Sequence, residues 1–175
     1  TLFLIGCTTP LEPQTVHWHA DFKVSIDGNF VDFNKLQYMT TPYVHLSERT
    51  HMHDFNPNVL HVHQTGVTLS EFFESIGMEF SENCFDANTG RYCNSPTHKL
   101  RLYVNEKPNS QMENYEPKDL DKILIYFDTV EPPQEILNSI TSQACIYSLK
   151  CAPPEGFVIP NESCSADQPC TVDGK

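Results

Sequence analysis

The sequence predicts an α+β domain in which a mixed sheet packs on one main helix. Three observations carry that prediction. Residues 16–26 alternate apolar and polar side chains, residues 68–77 form a capped amphipathic segment, and residues 123–127 are a continuous apolar run. Hydrophobic residues make up 39% of the 175, with eleven Phe and seven Tyr among them, which is enough for one core and excludes wholesale disorder.

In the first segment Trp18, Ala20, Phe22, Val24 and Ile26 alternate with His17, His19, Asp21, Lys23 and Ser25. That is the period of a strand with one apolar face. Asp27-Gly28 then marks a two-residue hairpin turn. Folding back across it sets Val24 opposite Val31, Phe22 opposite Phe33 and Lys23 opposite Asp32. Like meets like on both faces, so the register is self-consistent. Residues 34–58, punctuated by Pro42 and Pro57, read as a long loop with one short strand near residues 43–46. Residues 59–63, Val-Leu-His-Val-His, read as another short strand.

Thr68-Leu69-Ser70-Glu71 matches a capping box, with Thr68 as the N-cap. Leu69, Phe72, Phe73 and Ile76 follow on one helical face, and Gly77 is a stop. Residues 81–98 read as a polar loop stapled by Cys84 and Cys93. Leu100, Leu102 and Val104 alternate as a strand, and residues 123–127 fit a central strand covered on both faces. Pro132-Pro133 opens a C-terminal helix with Ile136, Leu137 and Ile140 on one side. From Cys145 onward the chain is rich in Pro and Cys and short of large apolar residues, the composition of a disulfide-stapled tail. The expected division is therefore a leader and tether over residues 1–15, a His-rich α+β domain over 16–143, and a Cys-rich appendage over 144–175.

Two resemblances add to this reading. Leu102-Tyr103-Val104-Asn105-Glu106-Lys107-Pro108, followed by Asp119-Leu120-Asp121-Lys122-Ile123-Leu124-Ile125, resembles the closing half of β-grasp proteins such as the sulfur carriers. It implies a β-grasp-like sheet. The sulfur carriers end in Gly-Gly just after their last strand, whereas Asp128-Thr129-Val130 follows here, so their chemistry is not implied. His17-Trp18-His19-Ala20-Asp21-Phe22 and Leu60-His61-Val62-His63, with the helix after them, resemble a family of small extracytoplasmic lipoproteins of archaea and bacteria. That resemblance implies a compartment and no reaction.

The N-terminus points the same way. Leu4-Ile5-Gly6-Cys7 resembles a lipobox at the end of a signal peptide, which makes Cys7 the expected lipidation site and residues 8–13 a tether. Setting Cys7 aside leaves six cysteines, an even number that suits disulfides outside a reducing compartment. Local pairing joins Cys84 to Cys93, Cys145 to Cys151 and Cys164 to Cys170, one connectivity among many. The absence of Cys-x-x-Cys argues against thioredoxin-like chemistry and a zinc knuckle. A net charge of −12 argues against nucleic acid as a partner. The expected location is the cell surface or periplasm, secreted or held to the membrane only by the lipid on Cys7.

The histidines carry the chemistry. Three pairs have His-x-His spacing: His17 with His19, His51 with His53, and His61 with His63. On a strand such pairs share a face, with Cα atoms about 6.5–7 Å apart, close enough for two imidazoles to converge on one ion. Neutral imidazole is the commonest side-chain ligand for zinc, copper and nickel. Both His17/His19 and His61/His63 fall off the core-facing phase, so the four rings meet if the two strands are neighbours. Asp21 shares the face of His17 and His19 and is a candidate ligand or imidazole-orienting acceptor. His45, His51, His53 and Asp54 lie on the adjoining loop and are candidates to extend the site. His98 stands apart, and Met39, Met52 and Met78 read as core or loop residues.

With thiols locked in disulfides, imidazole and carboxylate favour Cu(II) or Zn(II) over Cu(I). The first reading is a metal-binding protein that captures, buffers or delivers such an ion. The second is a mononuclear metalloenzyme with three histidines, a hydrolase or an oxygenase. The third is a surface interaction protein with a structural histidine layer. No nucleophile motif, phosphate loop or cupin spacing is present, which tilts the reading from catalysis to binding.

Overall fold

The structure is a computed structural model, and it describes residues 12–41 and 43–158. Cys7 with its lipobox, and Cys164 and Cys170, lie outside the described residues. The long first strand β1 (Thr15–Ile26) turns through Asp27-Gly28 into a two-residue strand β2 (Asn29–Phe30). Both turn residues have positive φ, 49° and 77°, as a tight hairpin turn requires. Ser25 pairs with Phe30 and Ile26 with Asn29, and the Val31 N–H donates to the Val24 carbonyl. The hairpin register therefore follows the alternation, although the return strand is short. Phe22 and Phe33 still meet, with ring centroids 5.0 Å apart.

Most of the remaining edge of β1 is taken by another strand. β4 (Val59–Gln64) runs antiparallel to it, with Trp18, His19, Ala20 and Asp21 opposite Val62, His61, Leu60 and Val59. β3 (Thr50–His51) adds to the far side of β4, pairing His51 with His61. The short strand expected near residues 43–46 is instead an isolated bridge between Thr41 and Val44. On the other side of β1 lies β10 (Lys122–Asp128), parallel to it, then β8 (Lys99–Val104) and β9 (Lys107–Asn109), both in antiparallel pairs. The sheet order is β3-β4-β1-β10-β8-β9, with β2 beside the end of β1. The apolar run of β10 thus sits at the centre, as its composition requires.

The helix α1 (Leu69–Ser75) starts where the capping box predicts. Thr68 is the N-cap, and its hydroxyl accepts from the Glu71 N–H at 3.2 Å. Leu69, Phe72 and Phe73 are buried against one face of the sheet, in a core that includes Ala20, Phe22, Val24, Leu60, Val62, Ile123 and Ile125. Residues 79–93 are not a loop. They form a second sheet of β5 (Glu79–Phe80), β6 (Cys84–Asp86) and β7 (Arg91–Cys93), because Phe80 and Phe85 turn into the same core. The disulfide Cys84–Cys93 joins β6 to β7.

The opposite face of the sheet is covered by the C-terminal segment. α2 (Gln134–Asn138) begins after its N-cap Pro133 and lays Leu137, with Ile140 beyond its end, over Leu124, Tyr126 and Tyr103. α3 (Ala144–Tyr147) continues across the same face, with Ala144, Ile146 and Tyr147 buried. The expected boundary at residue 144 therefore falls inside a segment that packs on the sheet. The second disulfide, Cys145–Cys151, closes a loop around the end of α3. Two disulfides point to an oxidising compartment outside the cytoplasm. Among the described residues no helix is long and apolar enough to cross a membrane.

Candidate metal centre

Strand alternation places the three His-x-His segments side by side. β3, β4 and β1 are consecutive in the sheet, and the pairings His51 with His61 and His61 with His19 align them. Their apolar neighbours Met52, Leu60, Val62, Ala20 and Phe22 belong to the core under α1. The imidazoles therefore gather on the other face.

The six rings form a closed belt. Successive ring centroids are 4.7 Å apart for His17–His19, 4.7 Å for His19–His61 and 3.9 Å for His61–His53. The circuit continues at 5.4 Å for His53–His51, 4.9 Å for His51–His63 and 4.9 Å for His63–His17. Within it, His17, His19 and His61 offer ligand nitrogens that all lie within 4.8 Å of one another, a set able to hold a metal ion.

The belt is largely buried. His51 and His61 are fully buried, His19 is 1% exposed and His63 is 8% exposed, while His17 and His53 are half-buried at the rim. Tyr147 of α3 lies over it, 5.8 Å from the ring of His19 and 5.4 Å from that of His61. Burial, and then the rings of His53, His19, His51 and His63, push the His61 imidazole well below its ordinary pKa. A buried imidazole held neutral is a base with a lone pair to give, which is what a metal requires.

Three of the rings have their tautomer fixed by a partner. The Nδ1 of His51 lies 2.7 Å from the Ser47 carbonyl, which can only accept, so Nδ1 carries the proton. The Nδ1 of His53 lies 2.5 Å from the Asp54 carboxylate. That contact is made in a tight turn where Asp54 and Phe55 both have left-handed φ, 56° and 55°. For His19 the chain has one more link. Ser148 donates its hydroxyl to Asp119 at 2.5 Å, so its oxygen accepts from the His19 Nδ1–H at 2.7 Å. In each neutral ring the lone pair is then left on Nε2. Carbonyl and carboxylate acceptors behind imidazoles are the usual supports of metal-binding histidines.

Asp119 is itself held in place. Burial raises its carboxyl pKa, but hydrogen bonds from Lys150, Ser148 and the His19 backbone N–H outweigh that and hold it below the usual carboxylate range. The cover and the centre are thus joined through side chains from both ends of the domain.

Of the predicted residues, His17, His19, His51, His53, His61 and His63 come together. His45 does not: it is exposed in the loop after Val44. Asp21 shares the face of the histidines, as the alternation requires, but its carboxylate is engaged elsewhere. It accepts from the N–H groups of Gln143 and Ala144, at 2.8 and 3.0 Å, and from the Thr141 hydroxyl. Asp21 is thus an anchor for the start of α3 and leaves the ligand set. His98 is remote, stacked on Phe127 and near Asp27. Met39, Met52 and Met78 are buried in the core. Four residues of the centre had no signal in the sequence reading: Ser47, Asp119, Tyr147 and Ser148. Only Ser47, four residues before His51, is close enough in sequence to have been found.

No protein-family model, curated protein or solved structure matches the chain. The site stands on its own geometry.

Proposed function

We propose that this protein binds a divalent transition metal, Cu(II) or Zn(II), through its imidazole cluster and serves to capture, buffer or deliver that ion outside the cytoplasm. The convergence of His17, His19 and His61 within 4.8 Å carries the reading. The acceptors behind His19, His51 and His53 support it, because each holds a ring in one tautomer. Imidazole nitrogen suits Cu(II) and Zn(II), and the disulfides leave no thiolate at Cys84, Cys93, Cys145 or Cys151 to favour Cu(I).

The finer assignments belong to the same proposal. The strand order β4-β1-β10-β8, with a parallel central pair and α1 between β4 and β8 in sequence, supports a β-grasp-like fold. The lipobox-like Leu4-Ile5-Gly6-Cys7 supports a lipid anchor at the cell surface or in the periplasm, as in the small lipoprotein family that the His-Trp-His motif resembles. A mononuclear metalloenzyme is the second reading. Three ligands leave a coordination position for water, and His17 is the least buried of the three.

The test is metal analysis on full-length protein purified from an oxidising compartment, chelated and then exposed to Cu(II) or Zn(II). We expect tight retention, lost in His61→Ala and kept in His98→Ala. Equal affinity in the two variants would remove the assignment.

A further inference from the structure

We propose that the Cys145–Cys151 disulfide is a redox latch on the metal centre, which a dithiol reductant opens to release the ion. The proposal rests on the metal-binding reading above and concerns what controls release.

The two cysteines are six residues apart, and the loop they close contains Tyr147 and Ser148. Both stand against the convergent ligand set. The Tyr147 ring lies 5.8 Å from that of His19 and 5.4 Å from that of His61, and the Ser148 hydroxyl oxygen lies 2.7 Å from the His19 Nδ1. Loosening this loop uncovers two of the three convergent ligands and removes the acceptor that fixes the His19 tautomer. The disulfide Cys84–Cys93 has no such reach. It joins directly paired residues of β6 and β7, in the small sheet whose Phe80 and Phe85 enter the core under α1.

The front of α3 is fixed without the disulfide, because the Asp21 carboxylate accepts from the N–H groups of Gln143 and Ala144. Its far end is held differently. α3 spans four residues, and a single helical turn does not hold itself in water. Leu149 is 77% exposed and has a left-handed φ of 55°, a conformation costly for a residue with a side chain. The N–H groups of Lys150 and Cys151 bond back to the Cys145 carbonyl, and Lys150 pairs with Asp119. Lys150 and Cys151 are exposed, so water competes for these contacts. The covalent link is what restricts this end of the cover to the closed arrangement.

The latch is also within reach of a reductant, since Cys151 is exposed while Cys145 is half-buried. One thiolate of the dithiol attacks the Cys151 sulfur and the S–S bond breaks, so Cys145 leaves as a thiolate and takes up a proton. The second thiolate of the reductant then displaces Cys151, which is protonated in turn. The protein pair gains two electrons and two protons, and the dithiol departs as its own disulfide.

Zn(II) is the probe for the test, because it has no redox chemistry of its own. Full-length protein loaded with Zn(II) is mixed with an excess of a colorimetric chelator, and the rate of transfer is measured. The measurement is repeated after treatment with dithiothreitol and its removal without air. Release should be about 10–100-fold faster from the reduced protein, the range by which affinity falls when a group behind a ligand is lost. Cys145→Ser combined with Cys151→Ser should release as fast as the reduced protein and gain nothing further from dithiothreitol. That result separates the latch from the other disulfides and from new thiol ligands. Tyr147→Ala, which keeps the disulfide, guards against a folding defect in the double variant and should release fast while still oxidised. Equal rates from oxidised and reduced protein overturn the latch and leave the metal-binding function standing. A folded double variant that releases as slowly as the oxidised protein, or a slow Tyr147→Ala, does the same. No Zn(II) retained by the oxidised protein overturns both.

Discussion

The two faces of the seven-stranded sheet are built by the same alternation and reach opposite ends. Under α1 the face is apolar, and Phe22, Phe72 and Phe73 interlock with centroid distances of 5.0 to 6.4 Å. On the other face the β10–β8 half is also apolar, with Leu124 and Tyr126 under Leu137. The β3–β4–β1 half carries six imidazoles instead. Apolar packing needs only shape and exclusion of water to be stable. Buried imidazoles need partners at every ring, and they find them in a backbone carbonyl, two carboxylate systems and one another. The difference marks the imidazole half as the part of the sheet able to hold a metal ion.

The largest effect should come from the apolar face. Phe72→Ala removes a fully buried ring and should cost about 3–5 kcal/mol in chemical denaturation. The folded fraction should bind metal as before. A loss of metal affinity in that fraction would mean that the two faces are not independent.

A smaller effect should follow from cutting a support on the other face. Ser148→Ala removes the link between His19 and Asp119. Metal affinity should fall by about 10–100-fold, the usual range for groups behind a ligand, with stability of the metal-free chain changed far less than by Phe72→Ala. An unchanged affinity in a competition titration would show that Ser148 only packs.

The smallest effect is one of pH. The folded chain holds the His61 pKa below its ordinary value of 6.5, through burial first and the surrounding rings second. The unfolded chain therefore takes up a proton near pH 6.5 that the folded chain refuses. Stability of the metal-free protein should be full above that pH and decline below it, by about 1.4 kcal/mol per pH unit for one such group, until the folded pKa is reached. Urea midpoints at pH 7, 6 and 5 measure this. A midpoint that does not move across that range would mean that burial does not hold the His61 imidazole neutral.

Much of this molecule is legible in short stretches of sequence. The alternation of β1, the Asp-Gly turn, the Thr68 cap, the central run of β10 and the disulfides Cys84–Cys93 and Cys145–Cys151 are local patterns, and local patterns fix local structure. The same alternation put the histidines of β1 and β4 on the face away from the core. What the sequence did not determine was which groups stand behind them. Ser148 is 129 residues from His19, and the residues that engage Asp21 are at least 120 residues from it. No local period encodes such distances. Asp21 looked like a ligand because it shares a face with His17 and His19, yet the free N–H groups at the start of α3 claim its carboxylate first. His45 looked like a member because it is near in sequence, yet the loop leaves it exposed. The sequence by itself determined that imidazoles would line one face. Only the tertiary structure decided that they close into a belt under a disulfide-tied cover, because strand order and the path of the C-terminal segment arise from packing between distant parts of the chain.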